Sequence, residues 1–123
     1  VGRRITTLSM MTATVGFFAT PVLAEGFQRI DDERKFVSLM QDRDLKGFGI
    51  RLQVNDNGQI AGRAFGRSVS GTWKWSDGFF CRDLYLGGKE FDPDYCQLVE
   101  VQGDTIRFTS DMGRGDSADL RIE

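Results

Sequence analysis

The chain has 123 residues, 16 basic and 18 acidic side chains, a net charge of −2 and no histidine. This length suits one small domain, and the mild acidity argues against nucleic acid, which usually demands a basic stripe. Without histidine, Ser-His-Asp and Cys-His catalysis and the usual zinc sites are excluded.

Residues 1–24 read as a secretory signal peptide. Arg3-Arg4 supplies the positive start, and Ile5 to Ala19 is mostly apolar and uncharged. Pro21-Val22-Leu23-Ala24 places small or aliphatic residues before a cut after Ala24. The apolar run is too short and too broken by Thr and Ser for a membrane span, which needs about 20 residues. No cysteine follows the cut to carry a lipid, so no stable membrane anchor is expected after cleavage. Removal takes two arginines and no acid, which moves the charge from −2 to −4 and leaves residues 25–123 as a single disulfide-bonded domain. Export and two cysteines agree on an oxidising compartment, periplasmic or secreted.

Asp31-Asp32-Glu33 puts acids where a helix N-terminus is stabilised by them. Phe36, Val37, Leu39 and Met40 then recur at helical spacing. The pattern predicts a helix over Asp32–Asp42 that plugs or flanks the strands after it, with Ile30 stapling its start. Phe48 to Asn55 alternates Phe48, Ile50, Leu52 and Val54 against Gly49, Arg51 and Gln53, a strand with one buried face. Asp56-Asn57-Gly58 turns the chain into Gln59 to Phe65, with Ile60 and Ala64 inward. Gly62 and Gly66 mark bends or close backbone approaches.

Val69 to Ser76 alternates with period two, placing Val69, Gly71, Trp73 and Trp75 on one face. Asp77-Gly78 is a hairpin turn, because glycine tolerates positive φ. Phe79 to Leu86 returns, with Phe79, Cys81, Asp83 and Tyr85 on one face and Phe80, Arg82, Leu84 and Leu86 on the other. Gly87-Gly88 begins a polar loop that ends at Asp92-Pro93-Asp94. Tyr95 to Gln102 is the next strand. Pairing it antiparallel with Phe79–Leu86 sets Cys81 opposite Cys96, and opposed non-hydrogen-bonded positions approach closely enough for a disulfide. Ile106 and Phe108 point inward from Thr105–Ser110. Ala118, Leu120 and Ile122 point inward from Ser117–Ile122, with Asp119 and Arg121 outward.

Little catalytic chemistry is left. No Gly-x-Gly-x-x-Gly opens a helix after a strand and no phosphate loop is present, so no nucleotide cofactor is implied. Asp83, Glu90, Asp92 and Asp94 crowd around the hairpin loop. Oxygen ligands at that density can hold calcium, and a pair can do acid/base work; turn-forming Asp in a solvated loop explains the same residues. Trp73, Trp75, Phe79, Phe80 and Tyr85 are candidates to line a cavity at a barrel mouth, or simply to fill a small barrel. Trp73, Trp75, Phe80, Arg82 and Tyr85 form the candidate ligand-binding set. Arg63 and Arg67 add anion affinity if they face the mouth, and are otherwise solvated edge charges. Arg114-Gly115-Asp116 spells an adhesion tripeptide, but a tight turn before the last strand accounts for it.

The run Gly71-Thr72-Trp73-Lys74-Trp75-Ser76-Asp77-Gly78-Phe79-Phe80-Cys81-Arg82-Asp83-Leu84, with Tyr95-Cys96-Gln97, Arg107-Phe108-Thr109-Ser110-Asp111 and Gly113-Arg114-Gly115-Asp116-Ser117-Ala118-Asp119, resembles a family of small exported proteins from marine and photosynthetic alphaproteobacteria. The resemblance covers most of residues 25–123. Some members carry a dihydrodipicolinate reductase label. The chain lacks the dinucleotide fingerprint, the length and the histidine-rich signature of that enzyme.

The expected fold is mainly β: a small antiparallel up-and-down barrel or meander, lipocalin-like, of about seven strands with one N-terminal helix and one disulfide. The expected role is non-catalytic, binding a small apolar or amphipathic ligand or a cell-envelope protein partner through the barrel mouth. The alternative is an enzyme using Asp83 with Arg82 or Asp94. The directions in which those side chains point separate the two.

Overall fold

The period-two stretches form strands that pair with their sequence neighbours until the sheet closes. The computed structural model describes residues 26–92 and 95–123. In chain order the elements are β1 (Gln28–Ile30), α1 (Glu33–Met40), β2 (Leu45–Gly47), β3 (Ile50–Val54), β4 (Gln59–Ala64) and β5 (Arg67–Ser76). There follow β6 (Phe79–Leu86), β7 (Lys89–Asp92), β8 (Cys96–Gln102), β9 (Thr105–Thr109), the single turn α2 (Ser110–Gly113) and β10 (Ser117–Ile122). The expected signal segment 1–24 lies outside the described residues.

Every pairing is antiparallel. The order β8-β9-β10-β2-β3-β4-β5-β6 closes through a β6–β8 pairing into an eight-stranded barrel, and β1 and β7 add short flanking strands. The barrel therefore has more strands than the seven expected. The added barrel strand is Leu45–Gly47, just after the helix, and the flanking strand Lys89–Asp92 falls within the apparent polar loop. Both are too short to show alternation.

The β5–β6 hairpin falls where the Asp-Gly signal put it. Asp77 and Gly78 both have positive φ, 52° and 84°, the combination that matches strand twist. Its register sets Trp73 opposite Arg82 and Trp75 opposite Phe80. Cys81 and Cys96 are paired across β6 and β8 and joined by a disulfide. The Arg82 amide donates to the Tyr95 carbonyl at 2.7 Å. That bond flanks the cysteines as expected around a non-hydrogen-bonded pair.

α1 is shorter than expected. Asp32 caps it, accepting from the Arg34 amide at 2.9 Å. Phe36 and Met40 are buried, while Val37 and Leu39 are half-buried. The Phe36 ring is fully enclosed. It meets Phe80 at 4.9 Å, Trp75 at 5.1 Å and Trp73 at 5.4 Å between centroids. The helix thus closes one end of the barrel with an aromatic plug. The indole N–H groups hold the surrounding loops: Trp73 donates to the Asn55 carbonyl at 2.7 Å and Trp75 to that of Asp31 at 3.4 Å.

One inward assignment is overturned. Phe48 sits at the tip of the β2–β3 turn, 95% exposed. Its neighbour Gly49 has φ 72°, so the chain reverses there instead of extending. Gly62, by contrast, marks a close approach as expected: a Cβ on it would overlap the Arg51 carbonyl oxygen.

Candidate functional site

Inward positions on β2 to β6 and β8 to β10 enclose a cavity of about 230 Å³ in the barrel. Its walls are aliphatic and aromatic, including Leu52, Ile60, Ala64, Leu84 and Phe108. Two polar side chains interrupt them, Arg82 and Gln97. Both are buried, at 8% and 5% exposure, and Arg82 Nε donates to Gln97 Oε1 at 3.2 Å. Period two explains the placement, since Arg82 alternates inward between Phe80 and Leu84. Buried charge is tolerated where hydrogen bonds replace water. Such a group in an apolar wall supplies a fixed point of polarity, the usual way a pocket orients its contents.

The plugged end is sealed by Phe36 and the tryptophans. At the other end the lining includes Phe65, Phe91 and Ala118. Phe65 is 62% and Phe91 50% exposed, and Ala118 is exposed as well. Residues that belong both to the cavity wall and to the surface mark where the cavity reaches solvent.

Of the candidate ligand set, Phe80 and Arg82 line this cavity. Trp73 and Trp75 are placed at the closed end, against Phe36. Tyr85 projects from the outer face of β6, opposite Ser70, and does not join the others. Asp83 also lies on the outer face, beside Tyr95 and Lys74 around a shallow depression. No ion pair forms on it among the described residues. Arg82 lines the barrel cavity and Asp83 does not. Among the described residues no group of three carboxylates, cysteines or histidines is arranged to hold a metal ion. Asp94 and the side chain of Asp92 fall outside the described residues. No helix among those residues is long and apolar enough to cross a membrane.

Sequence reasoning missed Phe65, Phe91 and Gln97. A signal existed for Phe65. It precedes Gly66 at the end of an alternating strand, where a turn should carry Asn or Gly, and its own φ is 52°.

The ion pairs sit on the outside. Gln53 and then Arg51 hydrogen-bond to the Asp44 carboxylate and hold it below the ordinary carboxylate value. Arg107 does the same for Asp119 across β9 and β10, at 2.7 Å and 3.0 Å.

Searches of protein-family models, curated proteins and solved structures find no match to this chain.

Proposed function

We propose that this domain is a non-catalytic binding module that holds a small apolar or amphipathic ligand inside the barrel. The observation that carries the reading is the cavity of about 230 Å³, sealed by α1 at one end and reaching the surface between Phe65 and Phe91 at the other. At about 30 Å³ per water-sized group, it has room for roughly eight such groups, a short alkyl chain or one small ring system. Arg82 and Gln97 favour a ligand with one polar end. Arg82 lines the cavity while Asp83 lies on the outer face of β6, which favours binding over an enzyme built on that pair; Asp94 lies outside the described residues. We place the domain outside the cytoplasm, exported by residues 1–24, as the disulfide and the sequence pattern of that segment suggest.

Native mass spectrometry of the protein purified from its own cells tests the reading directly, and a retained small-molecule mass is the expected result. Octanol added to the purified protein should shift NMR signals of Leu52, Ile60 and Leu84 saturably. Ala64→Phe, which fills the cavity from a buried wall position, should abolish those shifts while leaving the protein folded. A bare mass together with no saturable shift in the unsubstituted protein would overturn the proposal.

A further inference from the structure

The open end carries an arrangement that the cavity does not require. Two tight turns lie side by side there, because Ile50 pairs with Ala64 at the end of the β3–β4 ladder. The Phe65 amide donates to the Gly49 carbonyl at 2.8 Å and ties them together. Each turn presents a phenylalanine, Phe48 at 95% and Phe65 at 62% exposure. Neither is a natural turn residue. Phe48 does not line the cavity, and Phe65 adopts a left-handed backbone that bulky side chains disfavour. The Phe65 ring packs over Gly49 and lines the cavity mouth, whereas the Phe48 ring has no such place in the barrel wall.

The outer surface behind these tips is basic. The ladder sets Lys46 opposite Arg51 and Arg51 opposite Arg63, around a shallow groove. Like charges facing each other across strands are destabilising unless something compensates. Asp44 compensates Arg51 and Glu123 compensates Lys46. Arg63 spans back to the Gly66 carbonyl at 2.6 Å, and neither Arg63 nor the exposed Arg67 makes an ion pair among the described residues. Surplus cations thus bracket the Phe65 turn at its sides, and the aromatic tips project beyond them.

We infer that the open end of the barrel docks on an anionic lipid bilayer, with Phe48 and Phe65 inserted at headgroup depth and Arg63 and Arg67 against lipid phosphates. Aromatic rings favour that depth, and cations near an anionic surface add affinity that salt removes. The tips are convex. A protein partner would need a matching hollow, whereas a headgroup layer deforms around them. Phe65 is shared with the cavity mouth, but Phe48, Arg63 and Arg67 are absent from the cavity wall, so the variants at Phe48 and Arg67 test docking separately from ligand binding.

The test is flotation of the purified protein with vesicles of equal parts phosphatidylglycerol and phosphatidylcholine, against phosphatidylcholine alone. Binding should favour the anionic vesicles and weaken with salt. Phe48→Ser should weaken it by about ten-fold, since affinity follows buried apolar area. Arg67→Glu should weaken it by roughly five-fold or more, as expected per cation at a charged surface. Arg63→Glu should act likewise, but because that side chain also bonds to Gly66, Arg67→Glu carries the electrostatic arm. Near-ultraviolet circular dichroism of Trp73 and Trp75, at the far end of the barrel, verifies folding of each variant. Absent or composition-independent binding, or unchanged binding in Phe48→Ser and Arg67→Glu, overturns the inference. So does self-association through Phe48 without vesicle binding.

Discussion

Replacing Phe36 with alanine tests whether α1 is a plug or an appendage. The ring is fully buried and touches three other aromatic rings at 4.9–5.4 Å. Truncating a core phenylalanine costs about 3–5 kcal/mol, and aromatic pairs add roughly 0.5–1.5 kcal/mol beyond area. At least the middle of that range applies here, because the strands around the hole are held by barrel closure and cannot readily collapse into it. Small domains total about 5–15 kcal/mol, so a loss near 4 kcal/mol consumes much of the margin. At about 4–8 °C per kcal/mol for a domain of this size, the melting temperature should fall by well over 10 °C. Urea unfolding followed by tryptophan emission is the suitable assay, since the chain's two tryptophans both contact Phe36. The native emission should also shift to the red as water reaches the indoles. A loss below about 1 kcal/mol with unchanged emission would show that the helix does not seal the barrel.

Two further predictions concern the barrel wall. Removing the disulfide with Cys81→Ala and Cys96→Ala frees a loop of 15 residues and should cost about 3 kcal/mol in urea unfolding, provided the unfolded chain is otherwise unchanged. Acid should weaken the fold through Asp44 and Asp119. Both carboxyls sit below the ordinary value of 3.8 when folded. Their contribution is therefore full above that value and lost as pH falls through the folded values. Melting temperature should be insensitive to these groups near neutrality and decline below about pH 4. Asp119→Asn should flatten part of that decline, modestly because the pair is exposed and screened. An unchanged acid limb in the variant would refute the assignment.

Much of this architecture was legible in the residues. Alternation through Trp73 and Trp75, the Asp77-Gly78 turn and the Cys81–Cys96 register are local or pairwise signals, and each survives into the fold. The helix was legible from Asp32 and the Phe36–Met40 spacing, because capping and amphipathic burial act within a few residues. Strand count was less so. β1, β2 and β7 span three or four residues each, and tertiary pairing rather than propensity makes them strands. Phe48 misled for a related reason. Alternation continues through it on paper, but the two flanking glycines permit a reversal that only the β2–β3 ladder decides. The tryptophans drew attention to a barrel mouth, and the helix closes the end where they sit. Which end stays open depends on where α1 docks, a long-range outcome that strand periodicity does not encode. Alternation grouped Arg82 with Phe80 and Leu84 without deciding which face of that strand was inward, while Gln97, its partner, carried no distinguishing pattern in an apolar strand.

Closure of the ring runs through the β6–β8 seam. Among the described residues Phe80–Gln97 and Cys81–Cys96 pair β6 with β8, and the Arg82 amide adds a bond to the Tyr95 carbonyl, against eight residue pairs between β5 and β6. Parted there, the ten strands would unroll into one open sheet in the order β1-β8-β9-β10-β2-β3-β4-β5-β6-β7. The covalent bond lies within that seam, where it opposes the unrolling directly. The flanking strands matter in the same event. β1 already occupies the edge of β8 at Val99–Val101, and β7 that of β6 at Leu84–Leu86. Parting would nevertheless bare Phe79–Asp83 of β6 and Cys96–Leu98 of β8, which neither flanking strand covers, and bare edges are what template strand-to-strand aggregation. The disulfide at Cys81–Cys96 sits within that uncovered stretch, so it guards the chain against strand-to-strand association as well as against unfolding.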